Sequence, residues 1–450
     1  MAQISYIKYT DVKEARRYDA EYFKPEYLEI EKKFSNCPTI NDIALSVVCG
    51  PFGSTILNST YTKSGIEVVR PFNIKNYSVE EDNIVYISEK DAESKKLKIF
   101  EMGDLFFARV GDIRAGVFTR KKATISPNII GVKINKNKQN PYFLSIFFNT
   151  RYGFPQMLRE QKIVAQPTIS TKTVRGLKVP NFTESFQLQI AKTVKFAHQK
   201  QTQSKQLYRE AKELLLAELG ILDYQVKHAL TFSTSKKEIE EAHRYDSEYF
   251  QPKYAEIIKK IEEHEGGWDL VKNVINFRDK NYNPKDNQKY KYLALSNISS
   301  QGYIQDYQEE FGKDLPSRAR RKINTNDLII SSIEGSLSSC ALVEKELDNA
   351  VCSTGFFVLN SERINSETLL ILFKSFAIQE LLQRGSKGTI LTAISKTELE
   401  SIKIPLIIPS TQKQIAEKIQ ESHKLRKESK ELLEEAKRKV EEEIEKESFI

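Results

Sequence analysis

Basic side chains are concentrated in two stretches of this 450-residue chain, each flanked by short apolar runs typical of β-strands. Lysine and arginine neutralise the phosphates of a nucleic acid, and an arginine in the major groove can bind guanine through two acceptors. Both stretches are therefore candidate DNA contacts, although surface solubilisation explains any single residue more readily. The first stretch contains Arg109, Arg114, Arg120, Lys121 and Lys122, and the second contains Arg318, Arg320, Arg321 and Lys322.

Polar side chains suited to base edges lie near an Asn-Ile pair that occurs twice, at residues 73–74 and 297–298. Amide and hydroxyl groups can bond to the edges of adenine and guanine. From position alone, we predict base contacts by Arg70, Asn73, Lys75, Asn76, Asn297, Ser299 and Gln301. A further candidate is Lys387, in a Gly-Ser-Lys-Gly-Thr string that either cradles a phosphate with its amides or forms a simple turn.

The motifs of catalysis on DNA are missing from the sequence. Methylation of adenine uses a loop of the Asn-Pro-Pro-Tyr type to hold the flipped base, and the nearest string, at residues 140–142, lacks the second proline. Metal-assisted cleavage needs clustered carboxylates near a lysine, and the closest string, at 93–95, lies in a charged, turn-like stretch. We predict no catalytic, cofactor-binding or metal site in this chain.

Composition suits a polyanionic partner and gives no sign of a zinc site. The net charge is +8, and the four cysteines and five histidines are scattered without a Cys-x-x-Cys pair. The first eight residues do not read as a secretion signal, and no apolar run reaches the length of about 18 residues that a membrane span needs. We expect a cytoplasmic protein with reduced thiols and no membrane contact.

The chain contains a long internal repeat. Residues 17–25 (RYDAEYFKP) return as residues 244–252 (RYDSEYFQP), an offset of 227, and residues 189–191 (QIA) return as 414–416, an offset of 225. Each half is long enough to fold by itself, and its middle region mixes β-rich runs with helical segments at 141–149 and 366–382. We predict an α+β fold with two pseudo-repeated, mixed α/β domains.

Each repeat ends in a long helix with a heptad-like seam. The seams are Ile190, Val194, Ala197, Gln201, Ser204, Tyr208, Ala211, Leu215 and Ile415, Ile419, Ser422, Arg426, Ser429, Leu433, Ala436, Val440. Two interpretations remain open: each helix packs on its own copy, or the two form an antiparallel pair that separates the domains. In the second, a helix of about 30 residues measures about 45 Å, close to a dozen base pairs.

The repeat also suggests a division of the chain into six segments, with the N-terminal segment packing near the C-terminal helix. They are a helical lead-in (1–36), a first recognition domain (37–180), a central helix (181–222), a linker with the second lead-in (223–263), a second recognition domain (264–405) and a C-terminal helix (406–450).

In this order of motifs the chain resembles the specificity subunit of type I restriction–modification enzymes. The RYDxEYFxP segment is similar to that family's lead-in, and residues 50–54 (GPFGS) and 65–74 (GIEVVRPFNI) are similar to the opening of one recognition-domain type. Each domain closes with a Leu-Lys-Val-Pro or Ile-Lys-Ile-Pro string, at 177–180 and 402–405. The second copy departs from the pattern, because residues 281–289 contain no Gly-Pro-Phe-Gly string.

The resemblance implies a non-catalytic subunit that recognises a bipartite, asymmetric target in double-stranded DNA. It further implies docking of two methyltransferase subunits through the helices, together with motor-nuclease restriction subunits. S-adenosylmethionine, ATP and Mg²⁺ would then be bound by those partners. The alternative is a duplicated coiled-coil scaffold that binds proteins and has no DNA specificity.

Overall fold

The structure is a computed structural model that describes residues 4–161, 168–387 and 392–447. The chain divides into two compact units: unit 1 comprises residues 1–200 and 427–450, and unit 2 comprises residues 201–426. Each unit therefore contains one copy of the repeat and a part of each long helix.

Unit 1 contains two five-stranded sheets, ordered β1-β10-β7-β8-β4 and β2-β5-β3-β9-β6. Successive side chains of a strand point to opposite faces, so Phe106 packs toward the second sheet, whereas Leu105 and Phe107 join a core with the helices. The strands are β1 Ala44–Cys49, β2 Tyr61–Thr62, β3 Ile66–Val69, β4 Tyr77–Ser78, β5 Val85–Ile87, β6 Phe100–Glu101, β7 Leu105–Ala108, β8 Ala115–Val117, β9 Lys122–Ile125 and β10 Ile129–Ile134.

The helices that begin in unit 1 are short, apart from the first long helix, which continues into unit 2. The predicted helical segment at 141–149 begins at Pro141, where the fixed φ of proline suits a first helical turn, and Asn140 caps it. The helices are α1 Tyr9–Ala15, α2 Pro25–Lys33, α3 Ile40–Ile43, α4 Glu89–Ser94, α5 Pro141–Phe147, α6 Phe154–Arg159, α7 Thr171–Gly176 and α8 Glu184–Glu218.

Unit 2 has sheets ordered β12-β19-β16-β17 and β14-β13-β18-β15, with two-stranded pairs β11-β22 and β20-β21. Its strands are β11 Trp268–Leu270, β12 Asn276–Phe277, β13 Lys289–Leu293, β14 Gln308–Phe311, β15 Ala319–Lys322, β16 Leu328–Ser331, β17 Cys340–Leu342, β18 Val351–Ser353, β19 Phe356–Asn360, β20 Ser386–Lys387, β21 Ala393–Ile394 and β22 Lys403–Pro405. The helices that begin in it are α9 Lys236–Ala242, α10 Pro252–Glu262, α11 Val271–Val274, α12 Ser366–Lys374, α13 Phe376–Gly385, α14 Lys396–Glu400 and α15 Pro409–Lys446, of which α15 continues into unit 1.

The two units repeat one strand arrangement. The order β1-β10-β7-β8 of unit 1 matches β12-β19-β16-β17 of unit 2, and β5-β3-β9-β6 matches β14-β13-β18-β15. In both, the second sheet has one parallel pair, β3 with β9 and β13 with β18. The predicted α+β class with two repeated α/β domains is confirmed. The predicted helical segment at 366–382 forms two helices, α12 and α13, because Ser375 is extended and caps the second.

The long helices form an antiparallel pair in each unit, and the predicted seams are largely buried. In unit 1, Ile190, Val194 and Ala197 of α8 are fully buried, as are Ala436 and Val440 of α15. In unit 2 the buried seam residues are Ser204, Tyr208, Ala211, Leu215, Ile415, Ile419 and Ser422. Ion pairs flank the seams, from Lys200 to Glu428 at 2.6 Å in unit 1 and from Lys418 to Glu210 at 2.5 Å in unit 2.

The lead-in helix of each copy packs on the end of a long helix. In unit 1, Ile30 of α2 shares a core with Ile444 of α15, as the sequence predicted for the N-terminal segment. In unit 2, Ile257 of α10 shares a core with Leu219, which directly follows α8. Within the described parts of the chain, no helix combines the length and the apolar character needed to cross a membrane.

Candidate nucleic-acid interface

The repeated RYDxEYFxP segment is a structural brace in both units. In unit 1, Arg17 pairs with Asp19 at 2.7 Å and its guanidinium lies 4.7 Å from the ring centre of Tyr22. Asp19 also accepts the backbone N–H of Tyr22, and the hydrogen bond from Arg17 lowers the pKa of this carboxyl. The same three contacts recur in unit 2 among Arg244, Asp246 and Tyr249.

Two glutamines that sequence reasoning missed anchor the start of each long helix. In unit 1, the carbonyl of the Gln187 side chain accepts the N–H of Asn140 at 2.9 Å. In unit 2, Gln412 accepts the N–H of Asn365 at the same distance. The two pairs lie 225 residues apart, so the constant offset was the available signal. These contacts show that both copies attach their helices in the same way.

Three loops of unit 1 meet at one end of its sheets, and we call residues 50–54, 109–114 and 126–128 loop rim 1. Strands β1 and β7 end there and β10 begins there, since β10 is antiparallel to both. Gly50 donates to the carbonyl of Ile129 at 3.0 Å, and Arg109 donates to that of Asn128 at 2.9 Å. Gly50 has no room for a side chain, because a Cβ would lie 1.9 Å from the carbonyl oxygen of Ser126.

Loop rim 1 brings together some of the predicted contact residues. Arg109 is half-buried, and its Nη1 lies 3.4 Å from the Sγ of Cys49. Arg114 pairs with Asp112 in the same loop. Arg70 follows the end of β3 beside this rim, because Val69 accepts the N–H of Ser126 at 2.9 Å. The rim also exposes 88% of Phe52, within the GPFGS string.

The other three basic residues of the first stretch lie at the opposite sheet end. Strand β8 runs antiparallel to β7, so the link that follows β8 emerges far from the 109–114 loop. There Arg120 is held by Glu67 at 2.7 Å and donates to the carbonyl of Val79 at 2.6 Å. Lys121 is exposed, and Lys122 lies 3.5 Å from Glu89. The stretch that is continuous in sequence is thus divided in space.

The two repeated asparagines have matching roles inside the fold. The side-chain oxygen of Asn73 accepts the N–H of Arg70 at 3.0 Å, and that of Asn297 accepts the N–H of Ala294 at 2.8 Å. Asn73 is fully buried and its amide donates to the carbonyl of Asp82 at 2.8 Å. A base contact by Asn73 would therefore require these bonds to break.

The remaining polar candidates differ in accessibility. Lys75 and Asn76 are exposed on the turn between Ile74 and Val79, whereas Gln301 is half-buried. Ser299 is buried, and its Oγ accepts the N–H groups of Gln301 at 3.2 Å and of Tyr303 at 3.1 Å.

Unit 2 has an equivalent rim, loop rim 2, formed by residues 278–283, 294–297, 332–339 and 354–355, where β12, β13, β16 and β18 end. The exposed Arg318 lies beside it, because its carbonyl accepts the N–H of Thr354 at 2.8 Å. Arg320 bonds to Asn283, and Arg321 bonds to Asn281 at 3.3 Å. Lys322, one residue further along β15, lies 5.7 Å from the ring centre of Tyr282.

Sequence reasoning missed Asn281 and Asn283, because only a long-range bridge between residue 281 and β15 brings them to the arginines. The backbone of Lys387 belongs to β20, whereas its side chain and the rest of the predicted phosphate loop, residues 388–389, lie outside the described part of the chain. Within residues 4–161, 168–387 and 392–447, no group of three or more His, Cys, Asp and Glu side chains is placed to hold a metal ion.

Comparisons with known proteins give one family match and several similar solved structures. Residues 269–438 match the type I restriction modification DNA specificity domain. Among solved structures, the type I restriction-modification S subunit from M. genitalium is similar at 12% identity, covering 90% of this chain and 93% of that one, with a TM-score of 0.43. The HsdS subunit from Thermoanaerobacter tengcongensis is similar at 14% identity, covering 91% and 95%, with a TM-score of 0.29. Over residues 269–438, the chain is therefore similar to the type I restriction modification DNA specificity domain.

Proposed function

We propose that this chain is the non-catalytic subunit that selects the DNA target of a type I restriction–modification complex, with each loop rim reading one half of a bipartite site. The supporting observation is that the strand order of unit 2, which lies largely within the matched residues 269–438, is repeated in unit 1. A family architecture recognised in one copy therefore extends to the other.

The two half-sites should differ, because the two rims carry different side chains on the same strand ends. The end of β7 leads to Arg109 and Arg114, whereas the matching end of β16 leads to Ser332 and Ser339. The arginines of loop rim 2, Arg320 and Arg321, instead lie on the edge strand β15. Different donors at equivalent positions select different base edges, so the target is asymmetric.

The chemistry would belong to the partners. Two methyltransferase subunits would dock on the helices and bind S-adenosylmethionine, and restriction subunits would use ATP and Mg²⁺ for translocation and cleavage. The antiparallel pair of α8 and α15 would keep the two half-sites at a constant spacing. Incubating the purified chain with DNA and labelled S-adenosylmethionine should give no methyl transfer, and transfer by the chain alone would contradict the non-catalytic assignment.

A matched pair of variants tests the role of loop rim 2. The target is first read from methylated adenines in the source genome, and binding is then measured on duplexes with either half-site altered. Arg318→Ala should weaken binding and reduce the slope of log affinity against log salt by about one if it contacts a phosphate. Lys313→Ala is the control, since Lys313 is exposed after β14, whose Phe311 pairs with Lys289 at the opposite end of β13.

The competing function is a protein-binding scaffold without DNA specificity. A complex of the chain with its methyltransferase should give a footprint of two separated segments. A complex that binds every duplex equally would support the scaffold, as would equal behaviour of the Arg318 and Lys313 variants.

A further inference from the structure

Loop rim 1 presents a large apolar side chain to solvent. Phe52 is 88% exposed, whereas Ile56, in the turn that follows it, packs against the small core that contains Ile66 and Val68 of β3. Burying an aromatic ring removes its apolar surface from water and is favourable. This part of the chain therefore buries one apolar side chain and leaves a larger one in water, so folding does not account for the choice of Phe52.

The backbone around Phe52 is held by contacts on both sides. Gly50 donates to the carbonyl of Ile129 at 3.0 Å, and its position has no room for a Cβ. The carbonyl of Phe52 accepts the N–H of Thr55 at 2.9 Å, and the Nζ of Lys95 donates to the carbonyl of Thr55 at 2.9 Å. A side chain on a turn that is already fixed loses little conformational freedom when it binds a ligand.

Positive charge lies close to this turn. The Nη1 of Arg109 is 3.4 Å from the Sγ of Cys49, the last residue of β1 before the loop of Phe52. A thiol is a weak acceptor, so the guanidinium keeps hydrogen-bonding capacity and charge for a ligand. Duplex DNA offers partners for both groups, since its phosphates attract the arginine and its base faces are apolar surfaces for the ring.

Unit 2 uses the aromatic ring of its corresponding loop inside the fold. The loop after β12 corresponds to the loop after β1 and contains Tyr282, which is half-buried. The hydroxyl of Tyr282 bonds to that of Tyr290 at 2.9 Å, and the two ring centres lie 6.0 Å apart. An exposed ring in this loop is thus a feature of unit 1, and we expect its effect in one half-site only.

We propose that Phe52 acts as a wedge, its ring inserting between two adjacent base pairs of the half-site that loop rim 1 reads. This inference rests on the function proposed above and adds deformation of the duplex to the contacts with base edges. Apolar side chains that enter a base step unstack it and kink the duplex, which allows more of the protein surface to contact the DNA. Pyrimidine–purine steps unstack most readily, so the wedge should favour such a step and select sequence without a hydrogen bond.

The test uses 2-aminopurine, a fluorescent adenine analogue that stacking quenches, at successive positions of both half-sites. The methylated adenines are left unlabelled, because a methyltransferase flips them out of the stack. Each duplex is bound by the full chain in complex with its methyltransferase, without S-adenosylmethionine. With the wild type, fluorescence should rise at one step of one half-site.

Two substitutions of Phe52 separate an apolar wedge from a general change of the loop. Phe52→Ala should abolish the fluorescence rise and weaken binding by about 10-fold or more, since the inserted group is lost. Phe52→Leu keeps an apolar side chain that can enter a base step, so it should restore most of the rise and of the affinity.

Leu45→Ala is the matched control. Leu45 is 69% exposed near the start of β1, at the opposite end of that strand from loop rim 1. This variant should keep the wild-type affinity and the fluorescence rise. Both alanine variants should keep the wild-type melting temperature, because neither side chain is buried.

Three results would overturn the insertion of Phe52. A fluorescence rise that persists in Phe52→Ala would show that another group opens the step. Weaker binding of Phe52→Ala, with no rise at any position in the wild type, would show a contact on the outside of the duplex. If the wild-type complex bound target and unrelated duplexes equally, the proposed function would fail as well, whereas selective binding remains in the first two cases.

Discussion

Ser204 and Ser422 hold the two long helices together through reciprocal hydrogen bonds in unit 2. The hydroxyl of Ser204 donates to the carbonyl of Ser422 at 2.7 Å, and that of Ser422 donates to the carbonyl of Ser204 at 2.8 Å. In unit 1, Ser429 donates to the carbonyl of Ala197 at 2.8 Å. A shift of register would move each hydroxyl away from the carbonyl that it bonds across the pair, so these contacts favour the observed register of the two helices.

Replacing Ser204 by alanine should lower the free energy of unfolding by about 1 kcal/mol, since a buried hydrogen bond is lost. The measurement is urea unfolding followed by circular dichroism. Gln203→Ala is the control, because Gln203 is the exposed neighbour on α8. Equal stability losses in the two variants would show that the serine bonds do not stabilise the helix pair.

Alanine substitutions of Asn73 and Asn76 should differ in their effect on stability, because Asn73 is buried and Asn76 is exposed. Asn73→Ala removes the buried partner of the Arg70 N–H and of the Asp82 carbonyl, which should cost about 1–3 kcal/mol of stability. Asn76→Ala, at an exposed position, should change stability by less than about 0.5 kcal/mol. Thermal unfolding of both variants measures the difference. An Asn73 variant as stable as the wild type would show that the hydrogen bonds of Asn73 do not stabilise the turn.

His423 should make stability depend on pH. It lies 4.0 Å from Glu344, and burial together with the charge of Arg426 lowers its pKa to about 3. The unfolded chain has a histidine pKa near 6.5 and so takes up the proton first. Stability from neutral His423 is complete above about pH 6.5 and decreases by about 1.4 kcal/mol per unit as the pH falls toward 3.

The variant His423→Gln isolates this effect. Wild type and variant are unfolded with urea at pH 7, 6 and 5, and carboxylates that titrate in both proteins cancel in the difference. The wild type should lose stability relative to the variant below pH 6.5. Parallel pH curves would show that His423 is not held neutral.

Thiol labelling should report on loop rim 1. Cys37, Cys340 and Cys352 are buried, and burial raises the pKa of Cys340 to about 12. Cys49 is half-buried at the rim, with its Sγ 3.3 Å from the carbonyl of Pro127. A thiol reagent should label Cys49 first, and target DNA should slow that reaction. If target DNA left the labelling rate of Cys49 unchanged, the DNA would bind away from loop rim 1.

Several details could be predicted because they depend on local pattern. The seam positions Ile190 and Ile415 followed from helical spacing and are fully buried. The strand at 105–107 followed from its apolar run, which is buried on both faces. The sequence revealed the repeated Asn-Ile pair and predicted that its asparagine contacts a base. In each unit the asparagine side chain instead caps a turn, because an amide oxygen can accept a backbone N–H as well as a donor of a base.

The amino-acid sequence by itself determined the duplication, the two long helices and the resemblance to a DNA specificity domain, since these depend on residue identity and spacing along the chain. Only the tertiary structure decided which loops share a sheet end. Arg114 and Arg120 are six residues apart, yet the antiparallel course of β8 sends them to opposite ends. Arg321 and Asn281 are forty residues apart, yet pairing across the sheet edge joins them. Strand order arises from non-local packing, which no local spacing encodes.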